Sequence, residues 1–358
     1  MFKANSTKML LVLIMIIFTM TGCGLYGPEE TAEIDPPPLD LQQNAELTID
    51  MNTTDIEDPE QNNFVQSEEE VKKVTLTIYF FDDKGDVVPL SMDIPKVEGI
   101  GQEVLKYMTI GGPGEELLPQ GFEPVLPEGT KFTMNIKSEN KLAIIDFSRE
   151  FLSYDAQSAA EEKKILDAIT WSMTEFPTIE QVEIRVNGFP LEAMPVFETP
   201  VVGPLSRLDG INLEFANNIN IGQTTPVTLF FNRTSLDFNY LVPVTRLIPK
   251  TDNLAKATIE QLILGPKQGT NLTSSLLPTT KLLSVKVSDN MLVADFDDGI
   301  LGFNNQISKE LIDMLLWSLS ENLHISAIQI KVKGETSLLP ENLSKPVMKS
   351  DALNAVVF

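Results

Sequence analysis

Two stretches of sequence decide the fold: Ile165-Leu166-Asp167-Ala168-Ile169-Thr170-Trp171-Ser172-Met173 and Leu311-Ile312-Asp313-Met314-Leu315-Leu316-Trp317-Ser318-Leu319. Each places apolar residues at helical spacing, which predicts an amphipathic helix. The chain has only two tryptophans in 358 residues, and each lies seventeen residues before a glycine, Gly188 or Gly334. The same helix therefore occurs twice, which indicates an internal duplication.

Further matches lie on both sides of these helices. They pair Val88-Pro89 with Val242-Pro243 and Ile94-Pro95-Lys96 with Ile248-Pro249-Lys250 at an offset of 154, Gly112-Pro113 with Gly265-Pro266 at 153, Leu126-Pro127 with Leu277-Pro278 at 151, Asp146-Phe147 with Asp295-Phe296 at 149, and the helix residues and glycines at 146. The run Val74–Phe81 answers Val227–Phe231. The offset falls steadily, as loop deletions after a duplication would produce. We therefore predict two domains, residues 74–188 and 227–340, with a connection at 189–226 and a tail at 341–358.

Each copy has the same order of elements. A β-rich run is followed by a turn, which is Asp82–Asp86 in the first copy, and by a strand whose Pro89 suits an edge position. A short helix, a strand hairpin, the long helix and an alternating last strand complete the copy. The order ββαββαβ predicts an α+β fold with two helices packed on one face of a mixed sheet.

The N-terminus has the features of an export signal. Lys3 and Lys8 precede an apolar run from Met9 to Met20, and Thr21-Gly22-Cys23 follows it. A small residue directly before a cysteine predicts cleavage by lipoprotein signal peptidase, so that residues 1–22 are removed and Cys23 carries the lipid. We therefore expect the protein to lie on the extracytoplasmic face of a cell membrane, held by its acyl chains.

Residues 23–73 predict a disordered acidic tether. Between Gly24 and Lys73 there are fourteen Asp or Glu residues and two lysines, and the whole chain carries a formal net charge of −24. Such a segment buries too little apolar surface to order itself, and as a flexible coil it would reach ~40 Å. This acidity also excludes nucleic acid as a partner, because phosphate binding needs clustered Lys and Arg.

The chain is poor in catalytic side chains. His324 is its only histidine and Cys23 its only cysteine, so catalytic triads and His or Cys metal sites are excluded within one chain. His324 follows the second long helix, where a surface or capping role is expected. No phosphate-loop glycine pattern and no nucleophile elbow occurs, and no cofactor or metal is predicted.

The recurring aspartates leave two readings open. Asp146 and Asp295 could act with Asp167 and Asp313 as acid/base pairs on a cell-wall glycan, since glycoside hydrolysis needs only two carboxylates. Alternatively, Asp146 and Asp295 close turns, and the helix aspartates flank the apolar stripes. Trp171 and Trp317 are expected to pack in or beside the core, although ligand stacking is the other option. We favour structural roles throughout, and therefore no enzyme.

A family resemblance joins these features. The lipoprotein signal, Glu33-Ile34-Asp35-Pro36-Pro37, Gly111-Gly112-Pro113, Leu142–Phe147 and Arg207–Glu214 resemble the GerM-like sporulation and germination lipoproteins with tandem GerMN domains. The resemblance implies modules like those that build rings in secretion machines. It also implies a place in the complex between mother cell and forespore, on the mother-cell side facing the intermembrane space.

The leading hypothesis is therefore a lipid-anchored scaffold that packs against copies of itself or against other sporulation envelope proteins. The exposed candidates for this contact are the hairpins around Asp82–Asp86 and Arg233–Phe238 and the polar faces of helices 161–176 and 307–321. A tethered module that binds peptidoglycan or a small ligand is the alternative. Assembly predicts no retention on purified wall material.

Overall fold

The computed structural model describes residues 72–356 apart from 217–218, 221, 236–238, 303–305 and 338, so the signal sequence, Cys23 and the tether lie outside the described residues. The strands are β1 (Lys73–Asp82), β2 (Val87–Pro95), β3 (Phe122–Glu123), β4 (Phe132–Lys137), β5 (Leu142–Phe147), β6 (Gln181–Val186), β7 (Phe189–Pro190), β8 (Glu214–Phe215), β9 (Thr224–Thr234), β10 (Asn239–Pro249), β11 (Leu282–Ser288), β12 (Met291–Phe296), β13 (Ala327–Val332) and β14 (Val347–Met348). The α-helices are α1 (Ile100–Tyr107), α2 (Ala159–Met173), α3 (Leu254–Leu264) and α4 (Lys309–Leu323). Short 3₁₀ turns occupy Glu115–Leu117, Ser138–Asn140, Arg149–Leu152, Arg207–Asp209, Asp298–Ile300 and Glu341–Leu343.

The α+β class, the duplication and the element order of each repeat are confirmed, but the strands of a repeat do not form one sheet. The first repeat has a sheet of order β2-β1-β3 and a second of order β4-β5-β6-β7, and β11-β12-β13-β14 repeats the second sheet. Helix α2 lies between the two sheets of the first repeat, since it contacts β1 and β2 of one sheet and β6 of the other. The prediction of one shared sheet was wrong because the free edge of β1 is already occupied, by β3 and by the long helix.

The tryptophan–serine pairs show how the helix covers that edge. The backbone N–H of Tyr79 in β1 donates to Ser172 Oγ at 2.9 Å, and the N–H of Phe230 in β9 donates to Ser318 Oγ at 2.9 Å. Both serines are buried, so each removes the desolvation cost of a backbone donor. The recurring Trp-Ser dipeptide therefore fastens the long helix to the first strand of its repeat.

These bonds also correct the alignment of the first strands. Tyr79 pairs with Pro89, and Phe230 pairs with Pro243, so Thr77–Phe80 is equivalent to Thr228–Phe231 at an offset of 151. The offset rises from 151 in these strands to 154 at Pro89 and Pro243, because the β9–β10 hairpin is three residues longer than the β1–β2 hairpin. The steady fall predicted from the sequence holds only downstream of the hairpin.

The two repeats share apolar packing. The core of the first repeat is built on residues such as Phe80, Ile145 and Trp171, and it includes Tyr240 and Val242 from β10. Val356, near the C-terminus, packs against that same core. None of the helices in the described part of the chain combines the length and the apolar character needed to cross a membrane.

Candidate functional site at the junction of the repeats

The segment that follows each repeat crosses to the other repeat. Residues 211–215 follow the first repeat and run parallel to β10, with Thr245 N–H bonded to the Ile211 carbonyl at 2.8 Å. Residues 353–356 follow the second repeat and lie along β2, with Ser91 N–H bonded to the Leu353 carbonyl at 3.0 Å. The segments assigned from sequence to a connection and a tail therefore contain equivalent structural elements.

Two asparagines join the hairpins at the centre of this exchange. The side-chain amide of Asn212 donates to the carbonyls of Val87 and Pro243, both at 2.8 Å. The amide of Asn354 donates to the carbonyls of Pro89 and Leu241, again both at 2.8 Å. Val87 is equivalent to Leu241 and Pro89 to Pro243, so the two amides are related by an approximate two-fold axis. One body results, rather than two independent domains.

Cations from the same segments cover the tryptophans. The guanidinium of Arg207 lies 4.4 Å from the ring centre of Trp171, and Lys349 Nζ lies 3.8 Å from that of Trp317. Arg207 also bridges the repeats, since it donates to Glu175 at 2.5 Å and to Glu321 at 2.8 Å. Burial lowers the pKa of Lys349. Cation–π contacts of this kind stabilise a desolvated cation by about 1–2 kcal/mol.

From the sequence, Arg207–Glu214 served only the family resemblance and was not assigned to a junction, although a signal for that role exists. Pro204, Arg207, Asp209 and Asn212 recur as Pro346, Lys349, Asp351 and Asn354 at a constant offset of 142. The matches between the repeats that were predicted from the sequence end at Gly188 and Gly334, and these four further matches lie beyond those glycines.

The hairpin tips predicted to be exposed are so only in part: Asp83, Lys84 and Thr234 are exposed, whereas Asp82 and Arg233 are buried at the junction. Arg233 of β9 forms a buried ion pair with Asp82 and a second contact with Asp86 at 2.8 Å, and Tyr240 Oη donates to Asp82 at 3.1 Å. The pKa of Arg233 is raised: burial opposes its charge, and the two aspartates more than offset that effect. The prediction that Asp82 and Arg233 are available to partners was wrong, because each neutralises the other across the repeats; residues 236–238 lie outside the described part.

The strand aspartates hold turns. The carboxylate of Asp146 accepts a hydrogen bond from Gly188 N–H at 2.8 Å, and that of Asp295 accepts one from Gly334 N–H at 2.8 Å. Gly188 and Gly334 have φ of 85° and 87°, the left-handed conformation that glycine adopts without strain. Each aspartate therefore fixes the turn that follows the neighbouring parallel strand.

The helix aspartates differ between the repeats. Asp167 is only 6% exposed and pairs with Lys163 at 2.5 Å, whereas the equivalent Asp313 is 28% exposed and pairs with Lys309. Burial raises the pKa of Asp167 to about 7, opposed by the charge of Lys163. Asp167 was expected to flank the apolar stripe, but the segment around Asp209 covers it; Asp209 also raises the pKa of Asp167. Asp146 and Asp167 make separate contacts, so they are not an assembled acid/base pair.

A third buried carboxylate was not singled out from the sequence. Glu162 in α2 is fully buried and accepts hydrogen bonds from Tyr154 Oη, Thr199 Oγ1 and the backbone N–H groups of residues 196, 197 and 199, at 2.5 to 3.2 Å. Burial opposes the charge of Glu162, but these bonds outweigh it and lower its pKa to about 2. Glu162 therefore anchors the loop that carries residues 196–199.

We call that loop the 192–201 hairpin. The two sides of this hairpin are joined by hydrogen bonds from Val201 N–H to the Glu192 carbonyl and from Met194 N–H to the Thr199 carbonyl, at 2.8 and 2.9 Å. The exposed large apolar residues on it and beside it are Phe189, Val196, Phe197 and Val202. After the second repeat, Leu339 and Leu343 are buried instead. The first repeat therefore presents an apolar loop that Glu162 holds in place.

The histidine and the two tryptophans that the sequence singled out lie at or beside the ends and packed faces of the long helices. His324 is the exposed C-cap residue of α4, with φ of 54°. Trp171 is buried and donates from Nε1 to the Gly210 carbonyl at 3.2 Å, and Trp317 is half-buried. Within the described residues, no group of three or more His, Cys, Asp or Glu side chains is placed to hold a metal ion.

Fold and junction together define a class of protein: a tandem α+β module whose recurring polar residues hold helices, turns and the two copies in place. The chain belongs to the Germane family, described as "Sporulation and spore germination", whose profile matches residues 77–192 and 228–338. It is 34% identical, over 354 residues and 95% of each chain, to "Spore germination protein GerM" of Bacillus subtilis (strain 168).

A solved structure agrees with this assignment. "Tandem GerMN domains of the sporulation protein GerM from Bacillus subtilis" is 35% identical, with a TM-score of 0.74, and covers 80% of this chain and 100% of its own. The resemblance inferred from the sequence is thus confirmed, and the chain is a member of a sporulation and germination family.

Proposed function

We propose that this protein is an extracytoplasmic scaffold, anchored by lipid at Cys23, that assembles with itself or with other sporulation proteins in the envelope between mother cell and forespore. It catalyses no reaction in this proposal. The single observation that carries it is the junction: residues that recur in both repeats, such as Asn212 and Asn354, hold the repeats together in one compact unit. Surfaces held in place by such contacts need less ordering on association, which lowers its entropic cost.

The 192–201 hairpin is the surface that we assign to contact. Val196 and Phe197 are exposed while their backbone N–H groups are bound by Glu162 at 3.0 and 2.9 Å, so the loop needs little ordering on binding. Aromatic and aliphatic anchors on a preorganised loop are typical of the residues that carry binding energy. The strand edges are less suitable: β4 ends at Lys137 and β11 contains Lys286, and lysine on an edge strand disfavours edge pairing.

A mass measurement in solution tests the proposal. Residues 68–358 are expected to form a larger species alone or with purified envelope proteins of the same sporulating organism, in light scattering after size exclusion. Phe197→Ser should weaken that association about tenfold or more. Leu264→Ser, which removes an exposed leucine at the end of α3, is the matched control and should leave it unchanged.

Two results would contradict scaffolding. If the protein stays monomeric in every mixture but is retained on purified peptidoglycan, it is a wall-binding module. If it releases product from the wall polymer and Asp146→Asn abolishes that release, it is a hydrolase.

A further inference from the structure

The turn between β6 and β7 carries a chemically labile pair of residues. Asn187 and Gly188 form the only Asn-Gly sequence in the chain, and both residues are exposed. Asparagine is among the least durable side chains in water. Its amide is lost most readily when glycine follows, because the backbone nitrogen of glycine is not shielded by a side chain.

The reaction is an attack within the chain. The Gly188 backbone nitrogen gives up its proton and bonds to Cγ of Asn187, the bond from Cγ to Nδ2 breaks, and the amide nitrogen takes up that proton and leaves as ammonia. A succinimide ring remains. Water then opens the ring at either carbonyl and leaves aspartate or isoaspartate at position 187. The only reactant from outside the chain is water.

The fold holds the attacking nitrogen in another contact. Gly188 N–H donates to the Asp146 carboxylate at 2.8 Å, and Asn187 N–H donates to the Phe147 carbonyl at 2.9 Å. Asn187 and Gly188 have φ of 50° and 85°, so both are held in the left-handed conformation. The nitrogen must leave a charge-assisted hydrogen bond to reach Cγ. The carboxylate also opposes loss of the N–H proton, because deprotonation would place two negative charges together.

The second repeat contains the same turn without the reactive amide. Lys333 replaces Asn187, and its N–H donates to the Phe296 carbonyl at 2.8 Å. Gly334 N–H donates to the Asp295 carboxylate at 2.8 Å, and the φ angles of Lys333 and Gly334 are 51° and 87°. Lysine has no side-chain carbonyl carbon to attack. The duplication therefore supplies one reactive and one unreactive version of a single turn.

We propose that Asn187 is a site of spontaneous deamidation and that the Asp146 carboxylate slows this reaction by holding the Gly188 N–H. Aspartate at position 187 adds a charge to a turn that a carboxylate already holds, and isoaspartate adds a methylene group to its backbone. Both products weaken the turn that leads into Phe189 and the 192–201 hairpin. The inference goes beyond the proposed assembly function and does not depend on it.

Peptide mapping by mass spectrometry tests the site. The full chain is incubated in mildly alkaline ¹⁸O water, so that hydrolysis of the succinimide labels the product at position 187. The free peptide of residues 183–192, which lacks Asp146, gives the rate without the fold. Asn187 should react at least about tenfold more slowly in the full chain than in the peptide, and Asp146→Ala should raise the rate in the full chain about tenfold, as expected for loss of one charge-assisted hydrogen bond.

Two variants act as matched controls. Asp295→Ala removes the equivalent bond from the second repeat and should leave the rate at Asn187 unchanged. Asn187→Lys reproduces the sequence of the second turn and should take up no label there. Equal rates in the full chain and the peptide, or an unchanged rate in Asp146→Ala, would overturn the inference. Equal acceleration by Asp146→Ala and Asp295→Ala would also overturn it, because general unfolding would then set the rate.

Discussion

In the first repeat Lys164 ties the long helix to the tip of its hairpin, whereas in the second repeat the exposed Glu310 stands at that position, and a cavity borders each of the two residues. Both repeats nevertheless keep the serine that accepts from the first strand and the aspartate that holds the turn glycine. The serine bonds are buried, so losing one would destabilise the copy that loses it. Surface positions such as that of Glu310 carry no such penalty.

The segments after the repeats differ in the same way. Glu162 pins the 192–201 hairpin with its apolar side chains outward, while the second repeat has Ser308 at the position of Glu162 and uses it as the N-cap of α4. In the segment after the second repeat, Leu339 and Leu343 are buried. In the first copy the duplication has thus produced an apolar loop that Glu162 holds in place.

The largest expected effect comes from the ion pair that crosses between the repeats. Arg233→Ala leaves Asp82 and Tyr240 buried without their cation, and should lower the free energy of unfolding by about 3–5 kcal/mol in urea denaturation. The double change Asp82→Leu with Arg233→Met should recover part of this loss, because it removes both charges. A loss below about 1 kcal/mol for Arg233→Ala would show that the pair does not hold the repeats together.

The two asparagines test how symmetric the junction is. Asn212→Ala leaves buried carbonyls of Val87 and Pro243 without donors and should cost about 1–3 kcal/mol. Asn354 is only half-buried, so Asn354→Ala should cost less, since water replaces part of its bonding. Thermal unfolding of the two variants under one condition gives the comparison. A larger loss for Asn354→Ala would contradict the role assigned to burial.

The buried helix aspartate Asp167 should make the stability of the fold depend on pH. Asp167 has a folded-state pKa of about 7 against an ordinary value of 3.8, so the folded state holds the proton more tightly. The stability that this proton contributes is complete below about pH 4 and is lost as the pH rises towards 7, at roughly 1 kcal/mol per pH unit. Asp167→Asn should remove this slope, measured as urea midpoints between pH 4 and 8. Asp313→Asn is the control, and an unchanged slope in Asp167→Asn would refute the assignment.

Substitution of the turn glycines should have the smallest effect on stability, and the effect should be about equal at Gly188 and Gly334. Gly188→Ala and Gly334→Ala each place a Cβ at positive φ and should cost about 1 kcal/mol. Replacement by Asn, which tolerates this conformation better, should cost less at both positions. Differential scanning calorimetry of the four variants makes the comparison, and effects that differ widely between the two glycines would argue against equivalent turns.

Much of the fold could be predicted from local pattern. The stripe around Trp171 predicts a helix at 161–176, which the structure has as Ala159–Met173, and the alternation of Val182 and Ile184 predicts β6. The split into two sheets could not be predicted, because pairing depends on which edges are free in three dimensions. The sequence alignment of the first strands, which matched Val74 with Val227, was wrong for a related reason. The correct alignment follows from the pairing of Tyr79 with Pro89, which only the structure shows.

The candidate site was harder to predict than the fold. Asp146, Asp295, Gly188 and Gly334 recur at fixed spacing, so their shared roles could be inferred. Glu162 has no counterpart in the second repeat, and its value lies in accepting bonds from a loop more than thirty residues away. Lys164 and Glu310 appear in the sequence as ordinary helix-surface charges, and only the position of the hairpin tip distinguishes them.

The sequence by itself determined the duplication, the α+β class, the secondary-structure order and the family, because periodicity and recurrence are properties of the chain. Tertiary structure alone decided that Asp82 and Arg233 are buried together and that each trailing segment crosses to the opposite repeat. Each of these depends on long-range contacts, where burial and partner geometry, rather than residue type, set the energy of a charge or an amide.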